Sequence, residues 1–286
     1  MITRKLLSQL ESLHILSRRQ QRAPLRGERS SLRQGAGMEF SDFRPYLQGD
    51  DIRRIDWNLY ARTEKLFLKL FLEEESKPVY FVVDASESMA FGNPTKLQFA
   101  LQAAACLSYV SLRRYDPARF LFLRGRSFDK ISIGAMQQFF SFLGQMERFV
   151  PAGETHLSAG LKKIALARFP RGIYFLFSDF YSADGLDGMK LLGLSNEIHC
   201  LHLLTPEEDR PPLKGELRLI DSETGAAAEV SMSAEVLRRY RSRLESFRTN
   251  VKRACHQSMS TYLPVLTSTT LDSLLLKDLR TAGIVM

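Results

Sequence analysis

Residues 79–89 read V-Y-F-V-V-D-A-S-E-S-M, an apolar run of five that breaks into a carboxylate and two hydroxyls. Side chains that are all β-branched or aromatic offer no polar face to water, so the run predicts a strand buried on both sides in the middle of a sheet. The D-A-S-E-S that follows is turn chemistry, because Asp and Ser side chains satisfy the backbone donors of a tight loop. A buried strand that delivers oxygens at its carboxyl end describes the ligand edge of an open α/β sheet.

The same grammar repeats downstream. Short apolar runs at Arg119–Leu123, Ile173–Phe177 and Ile198–Leu204 alternate with segments whose apolar residues recur every three or four positions: Leu97, Leu101, Ala104, Leu107 and Val110, then Leu157, Leu161, Ile164 and Ala165. Strands alternating with one-striped helices predict crossover connections, hence an α/β domain over 78–206 with a mostly parallel, Rossmann-like sheet flanked by helices.

On the amino-terminal side, 1–77 reads as an extension. An amphipathic helix opens it, an irregular arm rich in Arg, Ser, Gln and Gly runs from Ser17 to Gly37, and a charged and aromatic segment follows from Gly37 to Thr63. On the carboxyl side, 207–286 reads as a hairpin and helices packing on the body. Pro206–Pro212 is a turn-rich break, and Gly215–Ser231 reads as a hairpin. A long helix then carries Leu237, Tyr240, Leu244, Phe247 and Val251 on one stripe, and a last helix starts at the T-x-x-D signal of Thr269 and stops at Gly283. No internal repeat is visible.

Composition fits a folded chain: of 286 residues, 44% are hydrophobic and 25% charged. The net charge of +8 is local, since 1–35 holds 8 basic residues against 2 acidic and 234–256 holds 7 against 2, leaving the remainder mildly acidic. Cys106, Cys200 and Cys255 lie far apart with no C-x-x-C spacing, which argues against a disulfide framework or a zinc site. No apolar stretch approaches the ~18 residues a membrane span needs, and Glu11 and His14 interrupt the terminus where a secretory leader requires an apolar core. The expected compartment is the cytoplasm.

Asp84, Ser86 and Ser88 place three hard oxygens in one loop, which suits Mg²⁺ or Mn²⁺ better than Zn²⁺. Two more oxygens are expected at the same edge: Thr155, in the loop P-A-G-E-T before the helix at Leu157, and Asp179, in the S-D that ends the run Ile173–Phe177. This combination resembles the metal-ion-dependent adhesion site of von Willebrand factor A domains, over about residues 78–206, and all five positions match. The resemblance implies direct metal ligation by Ser86, Ser88 and Thr155, with Asp84 and Asp179 acting mainly through ordered water, and one position left for a partner's carboxylate. A dication held mostly by neutral hydroxyls stays under-neutralised and attracts an external Asp or Glu.

The segment Gly37–Thr63 reads G-M-E-F-S-D-F-R-P-Y-L-Q-G-D-D-I-R-R-I-D-W-N-L-Y-A-R-T. With the later D-A-S-E-S-M-A-F-G, S-D-F and L-I-D-S-E-T-G, it resembles the signature of the bacterial domain-of-unknown-function family 58. That resemblance implies a cytoplasmic module working with a MoxR-type AAA+ ATPase in chaperone-like maturation or assembly of complexes. The segment's ion pairs and aromatics read as docking it onto the sheet, so truncating a buried Trp57 would cost ~3 kcal/mol.

Other chemistry is sparse. There is no G-x-x-x-x-G-K-[ST] phosphate loop and no G-x-S-x-G elbow, and His199 and His202 read as packing residues on a strand. The expectation is therefore a non-enzymatic interaction module. The alternatives are a Mg²⁺-dependent nuclease or phosphatase using Asp84 and Asp179, with Asp184 and Asp187 nearby, and a nucleic-acid binder contacting phosphates through Arg18, Arg19, Arg22, Arg26, Arg29 and Arg33. The same arm could equally dock on an acidic ATPase surface.

Overall fold

A computed structural model of the chain describes residues 4–17, 38–73, 77–146, 149–154, 156–182, 184–211, 215–220 and 227–286. Thr155 and the six arginines of the basic arm lie outside the described residues. The chain forms two compact units, one of Met1–Ala23 with Lys77–Met286 and one of Pro24–Ser76.

The larger unit is built on six strands: β1 (Val79–Asp84), β2 (Ala118–Arg124), β3 (Ser127–Ile133), β4 (Ile173–Ser178), β5 (Glu197–Leu204) and β6 (Thr261–Leu266). Their order is β6-β5-β4-β1-β2-β3, and every pairing is parallel except β2 with β3. The helices beside them are α1 (Lys96–Arg113), α2 (Met136–Met146), α3 (Leu157–Leu166), α4 (Asp187–Gly193) and α5 (Ala234–Gln257). This is the expected α/β architecture, a mostly parallel sheet flanked by helices. All six residues of β1 are buried, as the unbroken apolar run requires.

The two faces of the sheet carry separate cores. Phe81 and Val83 pack with Ala100, Ala104 and Leu107 of α1, whereas Tyr80 and Val82 pack with Leu161, Ile164, Met189 and Val251. The chain runs from β1 through α1 to β2, then crosses back over β1 to enter β4 on its other side. The connectivity thus reverses between β1 and β4, and in such sheets ligands bind in the crevice outside the carboxyl ends of the strands at that point.

Two elements were not among the four strands read from the sequence. β3 is the antiparallel edge, with Ser127, Asp129, Lys130 and Ser132 exposed, Phe128 and Ile131 half-buried and Ile133 buried. β6 is the opposite edge and contains Pro264, tolerable there because an edge strand leaves one side unpaired. The hairpin read at Gly215–Ser231 corresponds to the antiparallel strands Gly215–Ile220 and Ala227–Met232.

The smaller unit, taken by itself, pairs the antiparallel strands Met38–Pro45 and Phe67–Glu73 around a helix at Trp57–Thr63. Asp56 caps that helix by accepting from Asn58 N and Leu59 N. Arg44 pairs with Asp50 at 2.8 Å and Arg53 with Asp51 at 3.1 Å, both partly solvated. The expectation of a buried Trp57 is corrected: its side chain is 59% exposed and meets Tyr60 edge-on, itself 41% exposed. Within this unit Phe43, Trp57 and Tyr60 are exposed.

Candidate functional site

The site begins where β1 stops. Asp84 is buried, and each of its carboxylate oxygens has a donor: Ser86 N reaches Oδ1 at 3.1 Å and the Ser178 hydroxyl reaches Oδ2 at 2.7 Å. The donor from β4 ties the ends of the two switch-point strands together. Ser86 is buried and Ser88 half-buried, and their hydroxyl oxygens lie 3.0 Å apart. The loop is held from outside as well, since Ala152 N donates to Ala85 O at 2.8 Å and Glu87 N to Gly153 O at 3.0 Å. These bonds place the loop ahead of α3 beside the D-x-S-x-S turn. Gly92 closes the far end of the motif with φ +100°, and a Cβ there would stand 2.5 Å from the Thr205 methyl at the end of β5.

Asp179 follows β4 and is fully buried. Tyr181 N donates to its Oδ1 at 3.2 Å, and Lys96 Nζ donates to its Oδ2 at 2.6 Å. Phe180, between them, holds φ at +60°, a left-handed conformation that bulky residues rarely adopt and that turns the chain sharply past the carboxylate. Such conformations cost about 1–3 kcal/mol and cluster where a loop must present a group.

Lys96 was not among the residues singled out from the sequence. Its side chain is only 2% exposed, and Nζ also donates to Glu208 Oε1 at 2.8 Å. Glu208 is fixed in turn, because its Oε2 accepts from Thr205 N at 2.8 Å in the capping box of the short helix Pro206–Asp209. Burial pushes the Lys96 ammonium toward losing its proton, but the charges of Asp179 and Glu208 more than offset this, and its pKa lies above the ordinary value. For Asp84, burial first and the negative charge of Asp179 second raise the pKa from 3.8 to about 6, against the opposing hydrogen bonds from Ser178 and Ser86. Behind the site lies His202, buried, with Nδ1 2.8 Å from the Tyr262 hydroxyl, and burial lowers its pKa to about 4.

Asp84, Ser86, Ser88 and Asp179 therefore come to one edge of the sheet, and Thr155 lies outside the described residues. Asp184 is not a member. Its carboxylate caps α3, accepting from Ser158 N at 3.0 Å and Ala159 N at 2.7 Å. Asp187 is exposed and pairs with Lys190 at 2.9 Å. His199 and His202 are both buried, as packing residues on β5 should be.

The donor set fits a small hard cation. Adjacent oxygens around an octahedral Mg²⁺ with bonds of ~2.0–2.1 Å lie about 3 Å apart, and the Ser86 and Ser88 hydroxyls, hydrogen-bonded to each other at 3.0 Å, already stand at that spacing. Three acidic side chains, Asp84, Asp179 and Glu208, and one basic one, Lys96, meet in this region. Among the described residues no three His, Cys, Asp or Glu side chains gather around one point, so a cation here depends on hydroxyl oxygens. Among the described residues, no helix is long and apolar enough to cross a membrane.

Comparison with known proteins gives matches of several kinds. A family described as Protein of unknown function DUF58 matches residues 42–250. Uncharacterized protein Rv1480 of Mycobacterium tuberculosis is 25% identical over 236 residues, covering 80% of this chain and 74% of its own. Among solved structures, conserved hypothetical protein BatB from Bacteroides thetaiotaomicron has TM-score 0.43 at 12% identity, over 72% of this chain and 98% of that one. A von Willebrand factor type A protein from Catenulispora acidiphila has TM-score 0.43 at 9% identity, over 76% of this chain and 43% of that one.

Proposed function

Because the chain belongs to the DUF58 family, we propose that it is a non-enzymatic protein-interaction module of the cytoplasm whose sheet-edge site captures an acidic side chain of a partner through Mg²⁺ or Mn²⁺. Asp84, Ser86, Ser88, Thr155 and Asp179 would hold the cation, and the partner is a MoxR-type AAA+ ATPase engaged in maturation or assembly of other complexes. The observation that carries the reading is the paired Ser86 and Ser88 hydroxyls, 3.0 Å apart, beside the Asp84 carboxylate at the switch point of a parallel sheet.

When bound, the cation supplies an electrophilic centre for an incoming carboxylate. The chain's own groups do the rest. Ser178 and the Ser86 amide orient the Asp84 carboxylate, the bonds from Ala152 and Glu87 hold its loop, and Lys96 engages Asp179.

The test is a pull-down from native cytosol with wild type and Asp84→Ala, each in Mg²⁺ and in EDTA, with bound proteins identified by mass spectrometry. An AAA+ ATPase retained by wild type in Mg²⁺ alone is the expected result. Retention by Asp84→Ala or in EDTA, or no ATPase at all, overturns it and directs the site to nuclease and phosphatase assays.

A further inference from the structure

Lys96 stands at the first position of α1, just after the capping residue Thr95. Three physical costs meet there. An ammonium is taken out of water, it sits at the positive end of a helix dipole, and a side chain with several rotatable bonds is fixed in one geometry. A methionine of similar length would incur none of the charge costs. The sequence keeps a cation, and both carboxylates that compensate it arrive from far away, 83 and 112 residues along the chain. Glu208 is held independently by the capping box at Thr205, so the ammonium is suspended between one fixed acid and one acid of the candidate site.

We propose that Lys96 is the resident counter-ion of the site. It offsets part of the Asp179 charge, so that a divalent cation held at the site meets less negative charge from within than two free carboxylates would supply and keeps a greater demand for an external acid. The inference rests on the metal reading above and adds what sets the demand for an acidic ligand. Hydroxyl ligands alone leave a dication under-neutralised. Here a second carboxylate, Asp179, stands at the same edge, and without Lys96 its full charge would bear on the cation from within. Lys96 Nζ lies 2.6 Å from Asp179 Oδ2, and charges this close interact strongly even at an effective dielectric of ~20, so removing the ammonium should change how strongly Asp179 acts on a dication at the edge.

The experiment is calorimetric titration of Mn²⁺ into the full chain for wild type, Lys96→Met, Glu208→Gln and Asp84→Asn, with and without acetate as the external carboxylate. Circular dichroism melts of each variant monitor folding. Lys96→Met is expected to bind Mn²⁺ about tenfold tighter or more than wild type, and acetate, which tightens Mn²⁺ binding to wild type, should have little effect on it. Glu208→Gln removes a negative charge and commits the ammonium to Asp179, so it should bind Mn²⁺ about tenfold more weakly. That arm decides the matter if Lys96→Met fails to fold. Unchanged or opposite affinities in the folded variants, with Mn²⁺ binding abolished in Asp84→Asn, overturn the role of Lys96 and leave the metal site standing. No Mn²⁺ binding by wild type overturns both.

Discussion

The Ser178 hydroxyl donates to Asp84 Oδ2 at 2.7 Å, so the last residue of β4 holds the last residue of β1 across the switch point of the sheet. Both groups are buried. Removing the donor leaves a buried carboxylate oxygen short of one partner, which costs ~1–3 kcal/mol. Ser178→Ala should lose that stability and raise the Asp84 pKa beyond its already elevated value, since this hydrogen bond favours the charged form. Thermal melts and a carboxyl titration by NMR check both parts, and a titration midpoint that does not move would show that the bond does not hold the charge.

Asp84 and His202 make opposite contributions to stability over the same pH range in metal-free protein. Asp84 has a folded pKa raised from 3.8 to about 6, so its contribution is full below the unfolded value and lost as pH rises toward 6. His202 has a folded pKa lowered from 6.5 to about 4, so its contribution is full above 6.5 and lost as pH falls toward 4. Each shift of about two units corresponds to roughly 3 kcal/mol, and in the wild type the two oppose each other. Asp84→Asn should therefore destabilise steeply between pH 6.5 and 4 relative to wild type, and His202→Gln should gain stability over the same interval. Melting temperatures in EDTA across that range read the difference, and parallel curves for all three proteins would refute the assignment.

The four central strands were legible because burial on both faces demands unbroken apolar runs, and β1, β2, β4 and β5 are such runs. The edges were not. In β3 Asp129 and Lys130 stand between Phe128 and Ile131, and Ser132 between Ile131 and Ile133, because an edge strand meets water. β6 carries a proline that reads as a break. Asp84, Ser86, Ser88 and Asp179 were readable as oxygens placed after strands. Lys96 was not, because a lysine in T-K-L-Q looks like a solvated first-turn residue. Its burial is produced by Asp179 and Glu208 closing over it from distant parts of the chain. Asp184 also misled, since a carboxylate near the site in sequence proves to be the cap of α3.

That cap gives a separable test of the loop preceding α3. Asp184 accepts from two backbone donors of the helix's first turn and also from the Ser182 hydroxyl at 2.5 Å, and these hydrogen bonds outweigh its desolvation and hold its pKa below the ordinary value. Replacing a helix cap of this kind with alanine costs ~0.5–2 kcal/mol. Asp184→Ala should melt lower by that amount while Mn²⁺ affinity stays within about threefold of wild type, because the carboxylate faces the helix amides. A collapse of Mn²⁺ binding at unchanged stability would instead place Asp184 among the ligands.

Trp57 separates scaffold from surface in the smaller unit. A fully buried tryptophan truncated to alanine costs ~3–5 kcal/mol, whereas this residue is 59% exposed and Tyr60, which it meets edge-on, is 41% exposed. An edge-to-face pair of this kind contributes ~0.5–1.5 kcal/mol beyond area burial, so Trp57→Ala should cost about 1 kcal/mol. Exposed tryptophans are enriched at protein interfaces, where they carry a disproportionate share of binding energy. The same variant should therefore weaken capture of a protein partner at least tenfold at nearly unchanged stability. Chemical denaturation and a binding titration on one preparation read the two effects together. A stability loss near 3 kcal/mol would return Trp57 to the scaffold, and unchanged binding would leave its exposed ring without a role in capture.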